Sequence, residues 1–307
     1  MDFIRKLTKL QGHLQDLTGE EAYLLAKSML GREISDIKIS ALLTAMRIKG
    51  ESVEELLGII RALRESLKPL PPKPSHLDLS LNYDGKVKTV YILPSALVFA
   101  RRCGLSMTYH WAEKVPAKMG TTLWTILEEL GLTDGDLLSV AHQREFAPEL
   151  YTLLPLRREL GFRTFFNVVE KFLNPFNCSY MISSLFHKPY FEKLSSLCNE
   201  IGFKRYVLVK GLEGGIEPLP DRPTFYMVSG GEVSKIDPFK LGIKLPKKIE
   251  TERVLEDSVE LNREVLEGRA SEEYVNWACL SAGFLLTAGG LSQSPEEGFE
   301  MAKEAVG

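Results

Sequence analysis

Four lysines fall in two short polar stretches of the chain, Lys86 and Lys88 in the first, Lys114 and Lys118 in the second. Thr89 adds a hydroxyl to the first stretch, and Gly120 and Thr121 follow the second. Each stretch lies between a strand-like run and a helical run: Leu77-Asp78-Leu79 and Leu93 to Arg102 flank the first, Leu105 to His110 and Thr122 to Leu130 the second. In open α/β sheets, ligands bind where such strand-to-helix loops emerge. Cations and hydroxyls at a helix start suit a phosphate group. The spacing therefore predicts one crevice that favours an anion, with Lys86, Lys88, Thr89 and Lys118 among its contacts. His110 ends the second strand and is placed at the same crevice, as an acid, a base or a phosphate contact. Tyr83 and Trp111 are loop aromatics of the kind that stack a nucleic-acid base.

Further along, Arg157, Arg158 and Arg163 surround a helix end. Neighbouring helical residues point about 100° apart, so Arg157 is assigned to the crevice and Arg158 to the surface. Asn167 and Lys171 lie one turn apart and share a face, a pairing suited to phosphate or sugar. Cys103, Cys178, Cys198 and Cys279 have no C-x-x-C spacing and read as small core residues in a reducing cytoplasm. The five histidines, His187 among them, are equally dispersed.

Several elements must position these groups. The 307 residues carry 44% hydrophobic and 26% charged side chains, enough to bury a core. The net charge of -3 gives no global attraction to nucleic acid, so any such affinity needs a local basic patch. No apolar run reaches the roughly 18 residues of a membrane span. Met1 to Lys6 shows no signal-peptide core, and a cytoplasmic protein is expected.

Residues 1 to about 68 read as helices. Thr18 with Glu21 and Ser52 with Glu55 form capping boxes. The first helix turns Ala22, Leu25, Ala26 and Met29 inward. The second is expected to turn Ile37, Ala41, Ala45 and Ile48 inward, and the third Val53, Leu56, Leu57, Ile60 and Leu63. Pro69, Pro71, Pro72 and Pro74 then mark a hinge. Beyond it, strands are expected near 137–141, 178–182, 206–209, 224–228 and 232–236, with helices near 146–160, 190–201, 255–266, 271–287 and 294–305. Alternating strands and helices mean an α/β fold with a mostly parallel sheet.

Taken together, these segments resemble the anthranilate phosphoribosyltransferase family, also called family 3 glycosyltransferases. The likeness is carried by Leu17-Thr18-Gly19-Glu20-Glu21-Ala22, by Ala41 through Glu51, by Pro155 through Asn167 and by Leu173-Asn174-Pro175. It implies a helical domain at 1–68, completed by about 165–186, and an α/β domain at 75–164 and 187–307. It also implies a phosphoribosyl-diphosphate-like ligand, magnesium, and a homodimer through the helical domain.

The departures are specific. The family loop GTGGDGKNT becomes Leu81 through Thr89, with one glycine left. The family's magnesium-holding Asp-Glu pair becomes Ile216-Glu217, leaving Glu217 and Glu213 as the metal candidates. Arg157 falls where the family places its anthranilate-contacting arginine. A Tyr-Asp-Gly-Lys loop, an Asn-x-x-Glu-Lys motif (Asn167, Glu170, Lys171) and a Gly-Leu-Glu-Gly turn resemble a divergent branch whose members are thought to bind nucleic acid. Two functions follow from this likeness. One is a phosphate-ligand binder whose anthranilate activity is lost. The alternative is a non-enzymatic binder of single-stranded DNA or RNA on the same scaffold.

Overall fold

The computed structural model describes residues 15–133 and 135–306; the expectation for Met1 to Lys6 lies outside them. Three helices come first: α1 (Gly19–Leu30), α2 (Asp36–Lys49) and α3 (Val53–Glu65). Both capping boxes form, each Ser or Thr hydroxyl accepting from the N–H of the third helical residue, Glu21 or Glu55, while that glutamate reaches back to the cap backbone. Gly58 lets α3 cross α1 closely; a Cβ there would sit 2.1 Å from the Gly19 carbonyl oxygen.

The face of α2 is not the expected one. Ile39, Leu42, Leu43 and Met46 are buried, whereas Ile37 is 83% and Ile48 74% exposed. Both sets recur at helical spacing, so periodicity alone does not choose between them.

A seven-stranded sheet follows, in the order β3-β2-β1-β4-β5-β6-β7. Its strands are β1 (Leu77–Ser80), β2 (Met107–Trp111), β3 (Ser139–His142), β4 (Tyr180–Ser184), β5 (Arg205–Lys210), β6 (Thr224–Val228) and β7 (Ser234–Ile236). β1 to β5 pair in parallel, and β6 and β7 add an antiparallel edge. The helices between and after them are α4 (Leu93–Arg102), α5 (Leu123–Glu129), α6 (Gln143–Phe146), α7 (Pro148–Tyr151), α8 (Leu154–Leu160), α9 (Phe166–Val169), α10 (Tyr190–Ile201), α11 (Val254–Leu266), α12 (Glu272–Gly289) and α13 (Pro295–Glu304). The single helix expected over 146–160 is three short ones, because Pro148 and Pro155 each sit in a first turn and cannot continue a preceding helix.

Alternate strand residues feed two cores, as the two-residue period of a strand requires. Ile182, Val207 and Val209 join α4, α11 and α12 on one face. Met181, Tyr206 and Leu208 join the helical bundle, Phe165, Phe166, Phe172 and α10 on the other. The bundle is thus packed against the sheet by the 165–203 stretch. Among the described residues no helix is long and apolar enough to cross a membrane.

Candidate functional site

The two lysine-bearing loops do meet. Lys86 and Thr121 exchange backbone hydrogen bonds of 2.9 Å in both directions, and the Gly120 N–H donates to the Asp84 carbonyl at 2.9 Å. The approach needs glycine on both sides: a Cβ on Gly85 would lie 2.4 Å from the Thr121 oxygen, and one on Gly120 2.3 Å from the Lys86 oxygen.

The charges at this meeting point are not free: the crevice expected to favour an anion is lined by acids of the chain as well as by lysines. Lys86 is buried, and its Nζ donates to Glu217 Oε1 at 2.7 Å and lies 4.2 Å from the Tyr91 ring centre. Lys118 donates to the Glu213 carbonyl oxygen at 3.1 Å and is 3.7 Å from both the Asp84 and Glu213 carboxylates. Burial lowers its pKa against the pull of Asp84 and Glu213. The Lys88 side chain is exposed; its contact with the turn is through its backbone. Glu213 accepts from the Val87 N–H at 2.9 Å, the Lys88 N–H at 3.2 Å and the Thr89 hydroxyl at 3.0 Å. An acid of the chain therefore holds the donors that a phosphate would need.

The other candidates divide in the same way. Arg157 is fully buried and forms a two-pronged pair with Glu170 at 2.6 and 3.0 Å. Gln143 completes that pair, donating to Glu170 at 2.9 Å. Arg163 pairs with Asp84 at 2.6 Å and covers the Phe186 ring at 4.3 Å. Arg158, assigned to the surface, donates instead to the carbonyls of Glu113 and Lys114, both at 3.0 Å. Asn167 donates to the Pro116 carbonyl at 2.7 Å and accepts from the Thr164 N–H at 3.0 Å. Its role is to tie the second lysine loop down.

His110 is fully buried, not on the crevice surface. It sits between Tyr83, whose hydroxyl meets Nδ1, and Asp78, 3.3 Å from Nε2. Burial, with Glu170 and Asp78 adding to it, raises the Tyr83 pKa far above its ordinary value. Tyr83 and Asp78 so occupy both ring nitrogens of His110. Tyr83 is thus committed to this chain and does not present a stacking face. Trp111 stacks on Trp124 at 5.5 Å and meets His142 edge-on at 4.7 Å, so its ring is occupied within the fold. His187 is exposed.

Lys171 is the exception. It lies in a one-turn 3-10 helix, Glu170–Phe172, and is 6% exposed. Its Nζ donates to the Ser184 carbonyl at 2.6 Å. Among the described residues no carboxylate lies within ion-pair distance of it, whereas Lys86, Lys118, Arg157 and Arg163 each have one. Burial lowers its pKa to about 8, with Asp84 raising it and Arg163 lowering it further. It faces a cavity of about 130 Å³ between the bundle and the sheet, shared with Arg47, Glu51, Asp84, Thr164, Phe186 and Tyr190, where Glu51 and Asp84 each keep one buried carboxylate oxygen without a hydrogen-bond partner. The Thr164 hydroxyl is buried there without a hydrogen-bond partner. Sequence reasoning did not single out Arg47, Thr164 or Phe186; they converge only because α2, the 163–171 segment and the end of β4 close on one space.

Few carboxylate oxygens at the two loops are left unpaired to take part in holding a magnesium ion. Magnesium takes oxygen ligands in octahedral geometry. Glu217 gives one carboxylate oxygen to the Lys86 ammonium, its neighbour is the buried Ile216, and Glu213 is bound to the loop. No group of three His, Cys, Asp or Glu gathers among the described residues. Of the two expected metal ligands, Glu213 is engaged by the loop, while Glu217 keeps Oε2 buried and without a hydrogen-bond partner.

Comparison with known proteins agrees with this architecture. Residues 1–67 match the helical bundle domain of the glycosyl transferase family, and residues 132–307 its a/b domain. The chain is 51% identical to an uncharacterized protein of Aquifex aeolicus, over 96% of this chain and 94% of that one. It is 30% identical to the anthranilate phosphoribosyltransferase of a Geobacillus species, covering 94% and 90% of the two chains. Aquifex aeolicus also has an anthranilate phosphoribosyltransferase, 28% identical over 100% of this chain and 94% of its own. Among solved structures, anthranilate phosphoribosyltransferase from Thermus thermophilus superposes with a TM-score of 0.80 at 24% identity, covering 100% of this chain and 94% of that one. The Saccharomyces cerevisiae enzyme in complex with PRPP and Mg gives 0.78 at 17%, covering 99% and 92%. The domain matches and the 30% identical relative together establish that the chain belongs to glycosyl transferase family 3, the family of the anthranilate phosphoribosyltransferases.

Proposed function

We propose that this family member binds a phosphate-bearing ligand in the cavity at Lys171 and has lost phosphoribosyl transfer to anthranilate. The observation that carries the reading is the charge pattern of the crevice. Removing a lysine ammonium from water without a counter-ion is costly, and a chain that matches Lys86, Lys118, Arg157 and Arg163 with acids leaves Lys171 unmatched beside a cavity. A ligand oxyanion supplies the missing charge. The Thr164 hydroxyl and the Arg163 guanidinium add donors on the same wall.

Loss of the transfer reaction rests on three substitutions of function. Arg157 is committed to Glu170, Glu213 fills the donors of the first loop, and Lys86 takes the carboxylate of Glu217. The relatives support it too. Aquifex aeolicus holds both a 51% identical protein and a separate anthranilate phosphoribosyltransferase that is 28% identical to this chain, so one organism carries both kinds of protein.

Transfer is tested by following anthranilate consumption with phosphoribosyl diphosphate and magnesium; no turnover is expected, and sustained turnover overturns the loss. Binding is tested by calorimetry with ribose 5-phosphate beside single-stranded DNA. Saturable binding of the sugar phosphate is expected. Binding of DNA alone, falling steeply with salt, would instead establish the nucleic-acid alternative.

A second copy of the chain is the proposed partner of the bundle. Ile37, Ala41 and Ile48 form an exposed apolar stripe along α2, and a stripe of this kind marks an association surface.

A further inference from the structure

We infer that the segment from Val233 to Ile249 is a docking face for a segment of another protein, one that presents acidic residues around an aromatic or large aliphatic anchor. None of its residues lines the Lys171 cavity. Of the nine large hydrophobic side chains exposed among the described residues, three fall within nine positions here: Val233 at 42%, Phe239 at 66% and Leu241 at 48%. Exposed apolar side chains gathered inside a polar rim mark an interaction surface. This rim is cationic. Residues 233–249 hold five lysines, Lys235, Lys240, Lys244, Lys247 and Lys248, against one acid, Asp237. All five are exposed, and among the described residues none has a carboxylate within ion-pair distance. In a chain of net charge -3, the patch is a local excess that attracts acidic groups.

The backbone holds this face in place. The Lys240 N–H donates to the Asp237 carbonyl at 3.1 Å, the Gly242 N–H to Phe239 at 3.2 Å and the Ile243 N–H to Pro238 at 2.9 Å. From α12, Asn276 donates to the Lys244 carbonyl at 3.2 Å and the Tyr274 hydroxyl to the Lys248 carbonyl at 2.8 Å. Ile236 and Leu245 tie the segment to the core. Side chains presented on a fixed backbone lose little freedom on binding. Beside Phe239 lies a hollow of about 640 Å³ lined by Ile243, Leu245 and Tyr274, with Lys244, Lys247 and Lys248 also on its wall. Past Lys248 and Tyr274 it continues into a second hollow of about 330 Å³ against α11. An apolar anchor is desolvated in the first hollow while carboxylates beside it meet the lysines. Nucleic acid fits this face less well. The segment has no arginine to fork a phosphate. Glu273 lines the first hollow, and Glu260 and Glu264 the second. A polypeptide can place its acids opposite the lysines alone, whereas a nucleic-acid strand carries a charge at every nucleotide and runs it past those glutamates.

The experiment is selection of a random dodecapeptide phage library on the full chain, with the enriched peptides synthesised and their affinity measured by fluorescence anisotropy. Enriched sequences should combine an aromatic or large aliphatic residue with two or more neighbouring Asp or Glu. Phe239→Ser, and Lys247→Glu with Lys248→Glu, should each weaken the synthesised peptides at least tenfold, and added salt should weaken them too. These side chains are exposed, so both variants should melt with the native chain; should one misfold, Leu241→Ser or K240E/K244E takes its place with the same expected loss. Three results overturn the inference: no enrichment, enriched peptides without acidic residues, or peptides whose affinity the variants leave unchanged. Tighter binding of a single-stranded dodecathymidylate than of any selected peptide at physiological salt, lost in K247E/K248E, also overturns it and makes the face a nucleic-acid surface.

Discussion

Replacing Lys171 by Met should leave the fold as stable or make it more stable, which is unusual for a buried residue. The amine titrates near 8 in the folded chain, against roughly 10.4 for an ordinary lysine. Between these values the unfolded chain holds a proton that the folded chain has released. Unfolding free energy therefore rises with pH across this window. Below pH 8 both states are protonated, and the folded state bears the whole cost of burying the charge. At about 1.4 kcal/mol per pH unit, that cost is about 3 kcal/mol. Met removes it and fills a similar volume. It also strips the donor from the Ser184 carbonyl, a loss of roughly 1–3 kcal/mol. The balance at pH 7 is a gain of about 0–2 kcal/mol, or up to several degrees in melting temperature. The assay is urea unfolding of both proteins at intervals from pH 7 to pH 10. The difference between them should shrink as pH rises and reverse near pH 10. A K171M protein that loses 2 kcal/mol or more at pH 7, with a gap that does not change with pH, would refute the reasoning and make Lys171 a structural residue.

Other outcomes follow from the same geometry. Glu170→Ala strands the fully buried Arg157 guanidinium and should cost about 3–5 kcal/mol, whereas R157M/E170L should recover most of it; chemical denaturation of the three proteins decides. Gly58→Ala places a methyl 2.1 Å from the Gly19 carbonyl and should cost about 1–3 kcal/mol by forcing α1 from α3, read as a lower melting temperature. Ile37→Asp with Ile48→Asp should give a monomer by analytical ultracentrifugation, where the native chain is expected to be a dimer. A dimer unchanged by the two aspartates would place the interface elsewhere.

Much of the fold was legible in the sequence because it is written locally. The two capping boxes, α4, α10 and β6 fall where the residues place them. What failed was the choice between two helical faces on α2, and the continuity of a helix across Pro148 and Pro155. The site was less legible for a physical reason. Lysines and arginines near a crevice are visible as residue types, but their neutralising partners come from afar: Glu217 lies 131 positions from Lys86, and Asp84 79 from Arg163. Charge pairing at that separation is set by the closed fold. Only Arg157 and Glu170, 13 apart, lie near enough in the chain for the pairing to be sought in the motif itself. Lys171 stood in that motif as one candidate among several, and only the pairing of the others sets it apart.

The most direct test of the unmatched cation is the affinity of ribose 5-phosphate for the native chain and for K171M, measured by calorimetry from pH 6.5 to 9.5. A charge-assisted contact is worth about 1.5–3 kcal/mol, so K171M should bind roughly 10- to 100-fold more weakly at pH 7. Native affinity should fall as the pH passes 8 and the ammonium loses its proton. Equal affinity in both proteins, or native binding that ignores pH across this range, would contradict the claim that Lys171 waits for an anion.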